Sequence, residues 1–325
     1  MKKLAVFLVG AIALAGCGGG GTNPFMQDAD NDAASGGNGS TSSVNNNESK
    51  TEPLNLTDSG ISGFKFLQVT DQNGNTSDLL YVDNIPFDGT AEVAYEILTT
   101  VITSDGVKAF KSTPKIIDAE TGTTIDQDPY HALYGKSKSG AAEFAIAKTG
   151  IYLDEGPGGY ILRRNQYNSD GSLVEFARPT NAQAVYSGTY DGLLIPTTTA
   201  SDTMLYTTGE TKLIFDFDDF DDIGAVEFQA IGRQIYDEHG TFVGLLPALG
   251  TTIGSGQLDA NGRYSVDIFS LDAEEKKFET GKVEGFLSRK NPNEAAGIIV
   301  LTSKVGDAGF KEIAGFFAYG QTVNP

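Results

Sequence analysis

Apolar and polar residues alternate with a period of two along most of the C-terminal half of this chain. That pattern fits strands with one buried face and excludes amphipathic helices, whose apolar stripe recurs every 3.6 residues. Leu213, Phe215 and Phe217 fall on one side, with Lys212, Asp216 and Asp218 on the other. Val226, Phe228 and Ala230 alternate with Glu227 and Gln229, Tyr264, Val266 and Ile268 with Arg263, Ser265 and Asp267, and Ile313, Gly315, Phe317 and Tyr319 repeat the period near the end. From Leu54 onward no segment of useful length carries a helical stripe. Turn signals separate the runs: Asn73-Gly74, Asp170-Gly171, His239-Gly240 and Asn261-Gly262 supply the positive φ that tight turns need. The first implies a hairpin joining 64–69 to 79–82, and the second a hairpin joining 160–167 to 173–176. Candidate strands at 183–190, 203–208, 211–218, 224–235, 241–256, 262–270, 278–289, 295–302 and 311–319, with one or two fused or lost, fit an eight-stranded antiparallel up-and-down β-barrel. Closure removes the unpaired edges that invite aggregation. The polar faces are charged, which argues against a barrel that spans a membrane.

The single cysteine, Cys17, closes the run Leu14-Ala15-Gly16-Cys17. Lys2 and Lys3 precede an apolar stretch over 4–13, and small residues stand where a peptidase must approach the backbone. The stretch falls short of the ~20 residues that span a bilayer. This layout resembles a bacterial lipoprotein signal, which implies a signal peptide over 1–16, removed before a diacylglycerol-modified Cys17. Residues 18–53 are rich in Gly, Ser, Asn and Asp and nearly free of large apolar side chains, so they are expected to form a flexible linker. At about 36 residues, such a linker reaches roughly 30–36 Å. Gly18, not Asp, follows the cysteine, which by the rule known in enteric bacteria implies outer-membrane sorting, with the cell surface as the expected location.

The net charge of −20 repels phosphate backbones, so no nucleic-acid partner is expected. With 40 Gly, no Trp, 13 Tyr and 19 Phe, the composition suits short strands and tight turns. No cysteine remains in the folded part to build a disulfide framework.

Three stretches carry a resemblance: Ala184-Val185-Tyr186-Ser187-Gly188-Thr189-Tyr190, Leu213-Ile214-Phe215-Asp216-Phe217-Asp218, and Val283-Glu284-Gly285-Phe286 through Asn293-Glu294-Ala295-Ala296-Gly297, followed by Gly315-Phe316-Phe317-Ala318. Through them residues 181–325 resemble the β-barrel domain of transferrin-binding protein B-like surface lipoproteins. In that family a strand-rich handle precedes the barrel. The resemblance therefore implies an all-β chain with an N-terminal handle domain over 54–180 followed by the barrel. It also implies capture of a solute or metalloprotein, in iron or haem acquisition, alongside an outer-membrane receptor. The transferrin receptors of the family are bilobed, whereas this chain holds one lobe.

Only two histidines exist. His239 sits in a turn whose geometry accounts for it. His131 lies in Asp128-Pro129-Tyr130-His131-Ala132-Leu133-Tyr134, read as a handle loop in which Tyr130, His131 and Tyr134 form a candidate ligand surface, for haem or a host or environmental protein, or else pack the loop on the sheet. The acidic run 216–222 lacks the spacing of a calcium loop, since Phe217 and Phe220 interrupt it and no distal Glu follows. No metal site and no cofactor are expected. No nucleophile elbow, zinc motif or phosphate loop is present. The chain thus reads as a lipid-anchored binding protein rather than an enzyme, held by the bilayer through its N-terminal diacylglycerol. The rival reading is a structural or adhesion lipoprotein without a small-molecule ligand.

Overall fold

Strands of β-branched and aromatic residues, broken by glycine turns, assemble into two large antiparallel sheets and a two-stranded ribbon. The computed structural model describes residues 52–53, 60–83, 94–150, 157–172, 174–177, 179, 183–197, 204–218, 224–288, 293–305 and 308–320. Cys17, residues 18–51 of the expected linker and residues 219–222 of the acidic run lie outside them, while Glu52 and Pro53, read above as the end of the linker, form a strand paired with Arg164 and Arg163. No described residue is helical.

The first sheet uses β1 (Glu52–Pro53), β2 (Gly63–Thr70), β3 (Thr76–Asp83), β4 (Tyr95–Ile97) and β5 (Val107–Ser112). A separate ribbon of β6 (Lys115–Ile117) and β7 (Thr124–Asp126) follows. Then come β8 (Tyr130–Lys136), β9 (Ala142–Lys148) and β10 (Gly158–Arg164). The order across this eight-stranded handle sheet is β1-β10-β9-β8-β5-β4-β3-β2.

The second sheet comprises β11 (Gln183–Pro196), β12 (Leu205–Asp216), β13 (Val226–Tyr236), β14 (Phe242–Leu245), β15 (Leu249–Thr251), β16 (Gln257–Leu258), β17 (Arg263–Leu271), β18 (Lys277–Leu287), β19 (Glu294–Val305) and β20 (Ala308–Gly320). Its path runs β12-β11-β20-β19-β18-β17-β15-β13, and β12 pairs β13 to close the ring, so eight strands form a barrel as expected. The candidates 203–208 and 211–218 are one strand, β12. Gly74, Gly171, Gly240 and Gly262 hold positive φ at the four anticipated turns. The second hairpin is shorter than expected: the Asn168 amide donates to the Ser172 carbonyl at 2.8 Å and the Val174 amide to the Gln166 carbonyl at 3.2 Å, and residues 174–177 do not continue as a strand. Phe176 packs against the barrel core.

Three apolar clusters organise the packing. Tyr186, Leu213, Phe215, Phe228, Tyr264, Val266, Val283 and Phe316 fill the barrel interior. The tyrosine occupies space vacated by two strands: a Cβ at Gly285 would come within 2.5 Å of the Tyr264 hydroxyl, and one at Gly297 within 2.8 Å. Its hydroxyl donates to the Ala296 carbonyl at 2.9 Å. These glycines of the Gly285–Gly297 hairpin therefore serve side-chain packing. A second cluster joins the sheets, with Leu133, Phe144, Ile146 and Leu162 of the handle sheet meeting Leu193, Tyr206, Ile298, Ile313 and Phe317 on the outer barrel wall. The third lies on the opposite face of the handle sheet and includes Phe64, Leu80, Phe110, Tyr130 and Tyr134.

The joint explains where alternation misled. Ile313 and Phe317 belong to the outer face of β20, beneath the handle, whereas Ala314, Phe316 and Ala318 point inward. A strand covered on both sides has two apolar faces.

Candidate functional site

Opposite faces of β8 separate the candidate ligand residues. Tyr130 and Tyr134 point into the handle's own cluster, where Tyr134 stacks on Phe66 at 4.5 Å between centroids. His131 points the other way, and its Nδ1 lies 2.8 Å from the hydroxyl of Tyr206 on the barrel. All three side chains are buried. The segment read as a loop is thus a central strand, and the three side chains do not form one surface. The period-two rule, applied to 130–136, was the signal that separates them.

His131 belongs to a polar seam that clamps the sheets together. Lys111, opposite His131 in register, pairs with Glu238 at 2.8 Å. The Thr100 hydroxyl donates to the Glu238 carbonyl at 2.6 Å, fixing the β13–β14 turn against the handle. The Ser104 amide donates to Asp191 Oδ1 at 3.0 Å. Asp191 Oδ2 is buried without a hydrogen-bond partner, and burial raises the carboxyl pKa to about 7 against the pull of the Ser104 hydrogen bond. Further along the wall, Arg164 stacks on Phe286 at 4.4 Å and donates to the Asn261 carbonyl, and Gln166 donates to Ser288 at 2.8 Å.

Inside the barrel the sequence reading missed an ionic cluster. Arg233 is fully buried and uses all five of its N–H groups. Two go to the carboxylate of Glu279 at 2.6 and 2.9 Å, one to Glu312, one to the Tyr190 hydroxyl at 2.9 Å and one to the Pro247 carbonyl at 2.7 Å. Thr207 donates to Glu312, and Ser270 to Glu279 at 2.6 Å. Burial raises the pKa of Glu312, and Arg233 only partly offsets this; burial likewise holds Tyr190 well above its ordinary value. For Arg233 burial pulls downward, but Glu312 and Glu279 outweigh it and the guanidinium stays charged. The inward parity of Glu312 was legible from Ala314, Phe316 and Ala318. That of Arg233 was not, because the chain shifts register near Gly232, whose φ is +61°.

Exposed apolar side chains lie on the outer surface. There, the segment from Gly240 to Leu258 contains no charged residue, in a chain of net charge −20. It carries Phe242, Val243, Leu245 and Ile253, all exposed, and Ile231 of β13 is exposed as well. Elsewhere, Asp218 and Asp216 form only a local turn, with the Asp218 amide donating to Asp216 at 3.0 Å. No cluster of three metal-ligating side chains occurs among the described residues.

No family model matches the chain, and no curated protein matches it. Among solved structures it is similar to a transferrin binding protein B double mutant from Haemophilus parasuis Hp5, at 14% identity over 80% of this chain and 45% of that one, with a TM-score of 0.36. The intact two-lobed transferrin binding protein B named Ap-TbpB gives 15% identity over 80% and 46%, with a TM-score of 0.34. The isotype 1 protein from serogroup B Neisseria meningitidis gives 15% over 78% and 39%, with a TM-score of 0.32. The chain spans less than half the length of each of these structures. The likeness is distant, and the closed barrel described above rests on the strand pairing of this chain itself.

Proposed function

We propose that this protein is a lipid-anchored outer-membrane binding module, held by a diacylglycerol on Cys17 and displayed on the cell surface. It captures a solute or metalloprotein, in iron or haem acquisition, and delivers it to an integral outer-membrane receptor. The observation that carries this reading is the pairing of a sealed, doubly clamped β body with a lipoprotein-type cysteine at the head of a long polar linker. A barrel filled by Tyr264, Phe215 and the Arg233 cluster has its recognition chemistry on the outside. Side chains that would serve acid–base catalysis, His131 and Tyr206, are buried against each other at the joint. Purification of the full chain from iron-limited cells tests the reading. Retention of a haem or iron-carrying protein together with an outer-membrane receptor is expected. Retention of matrix components alone would replace capture by adhesion.

A further inference from the structure

Strand β14 is an open sheet edge of unusual character. It pairs only with β13 and ends the path of its sheet. The ladder between β15 and β17 stops at Leu249↔Ser270, so the chain before Leu249, including β14, has no partner on its outer side among the described residues. Successive side chains of a strand point to opposite faces, and here both faces are apolar and exposed: Phe242 at 54%, Val243 at 53% and Leu245 at 69%. Folded chains ordinarily guard an edge with charge, proline or a covering element. The handle's free edge follows that rule, since β2 carries Lys65 and lies beside Asp78 of β3. Strand β14 carries neither charge nor proline and has no covering element among the described residues; only its length of 4 residues and a register shift between Ile235 and Tyr236 restrain its edge.

We propose that the outer edge of β14 is a strand-addition site that takes an extended, uncharged segment of apolar and hydroxyl residues from a basic partner protein. The inference rests on the reading of the protein as a binding module and names how one partner is held. A row of unpaired backbone N–H and C=O groups recognises another extended backbone, and alternate side chains give specificity. Charge selects the partner. Two copies of this chain would bring −20 against −20, whereas a basic protein is drawn toward the acidic body and meets an uncharged patch on arrival. The same charge opposes anionic lipid. A fixed β13–β14 turn, held by Thr100 and Lys111 through Glu238, presents the edge already ordered, which lowers the cost of binding.

The test uses the full chain in nanodiscs and a synthetic peptide of alternating Thr and Val with two Lys at each end. Hydrogen exchange should slow at Phe242–Leu245 when the peptide binds, and a Glu-flanked version should bind at least tenfold more weakly at low salt. The double variant Val243→Lys with Leu245→Lys should weaken peptide binding at least tenfold with an unchanged melting temperature, while Val69→Lys on β2 should bind as before. Absence of protection at β14 with millimolar peptide overturns the proposal. So does protection that survives the double variant, protection by the nanodisc alone, which would make lipid the occupant, or concentration-dependent self-association that protects β14. These readouts are independent of acylation and of receptor capture, so their failure is distinguishable from failure of the lipid-anchored reading.

Discussion

Two carboxylates and one guanidinium share the barrel interior, so removing the guanidinium leaves like charges buried together. Arg233→Ala should therefore cost roughly 3–5 kcal/mol in urea unfolding, the range for stranding a buried ion. Burial raises the pKa of Glu312. Glu312→Gln should cost no more than about 1 kcal/mol at neutral pH, because its amide oxygen can accept from Arg233 while its amide nitrogen donates to the Thr207 hydroxyl. A larger loss would mean that its negative charge is needed. Asp191 makes a second residue-scale prediction. Its folded pKa of about 7 lies above the unfolded value, so the native state binds the extra proton in the window between about 4 and 7. Stability from this group is thus greatest at low pH and falls as pH rises through that window. Asp191→Asn keeps an acceptor for the Ser104 amide and should flatten the fall, raising stability above pH 7 by at most about 4 kcal/mol. A variant with an unchanged pH profile would contradict the buried-carboxyl assignment. These residues were only partly legible beforehand, since parity locates Glu312 inside the barrel but not the partner that a register shift brings to it.

At the scale of elements, β9 and β20 meet through one ring. Phe144 stacks on Phe317 at 5.3 Å, and its ring fills space beside Gly315 and Gly135, where an added Cβ would approach to 2.5 and 2.3 Å. Glycine on both sides leaves the ring no direction in which to yield. Gly315→Ala should cost roughly 1–3 kcal/mol by overpacking, and it should speed proteolytic cleavage between the sheets in 165–182. Full stability would show that the joint is looser than the contacts indicate. The barrel strands and their turns could be read from alternation and glycine because each has an inner face to declare. The handle's cover could not, since residues that pack across sheets, such as Leu193 and Phe144, follow the same two-residue period as interior ones. Tyr130, His131 and Tyr134 illustrate the cost: side by side in sequence, they divide between two cores.

For the whole molecule, one shared apolar joint with polar clamps along it binds the handle sheet and the barrel into a single body. The chain carries a net charge of −20, and its uncharged β14 edge is the exception on that surface. An expectation of location was written in the N-terminal sequence, because a lipid-attachment signal is short and linear. The ligand was not, because a surface assembled from two sheets has no local motif. The central claim is that Cys17 carries the lipid that holds this head at the surface. Metabolic labelling with a fatty-acid analogue, followed by membrane fractionation and protease shaving of intact cells, tests it directly. Wild-type protein should be labelled, membrane-bound and cleaved from outside, and Cys17→Ala should lose the label and leave the membrane. An unlabelled wild-type protein, or a Cys17→Ala protein that fractionates unchanged, would contradict the account.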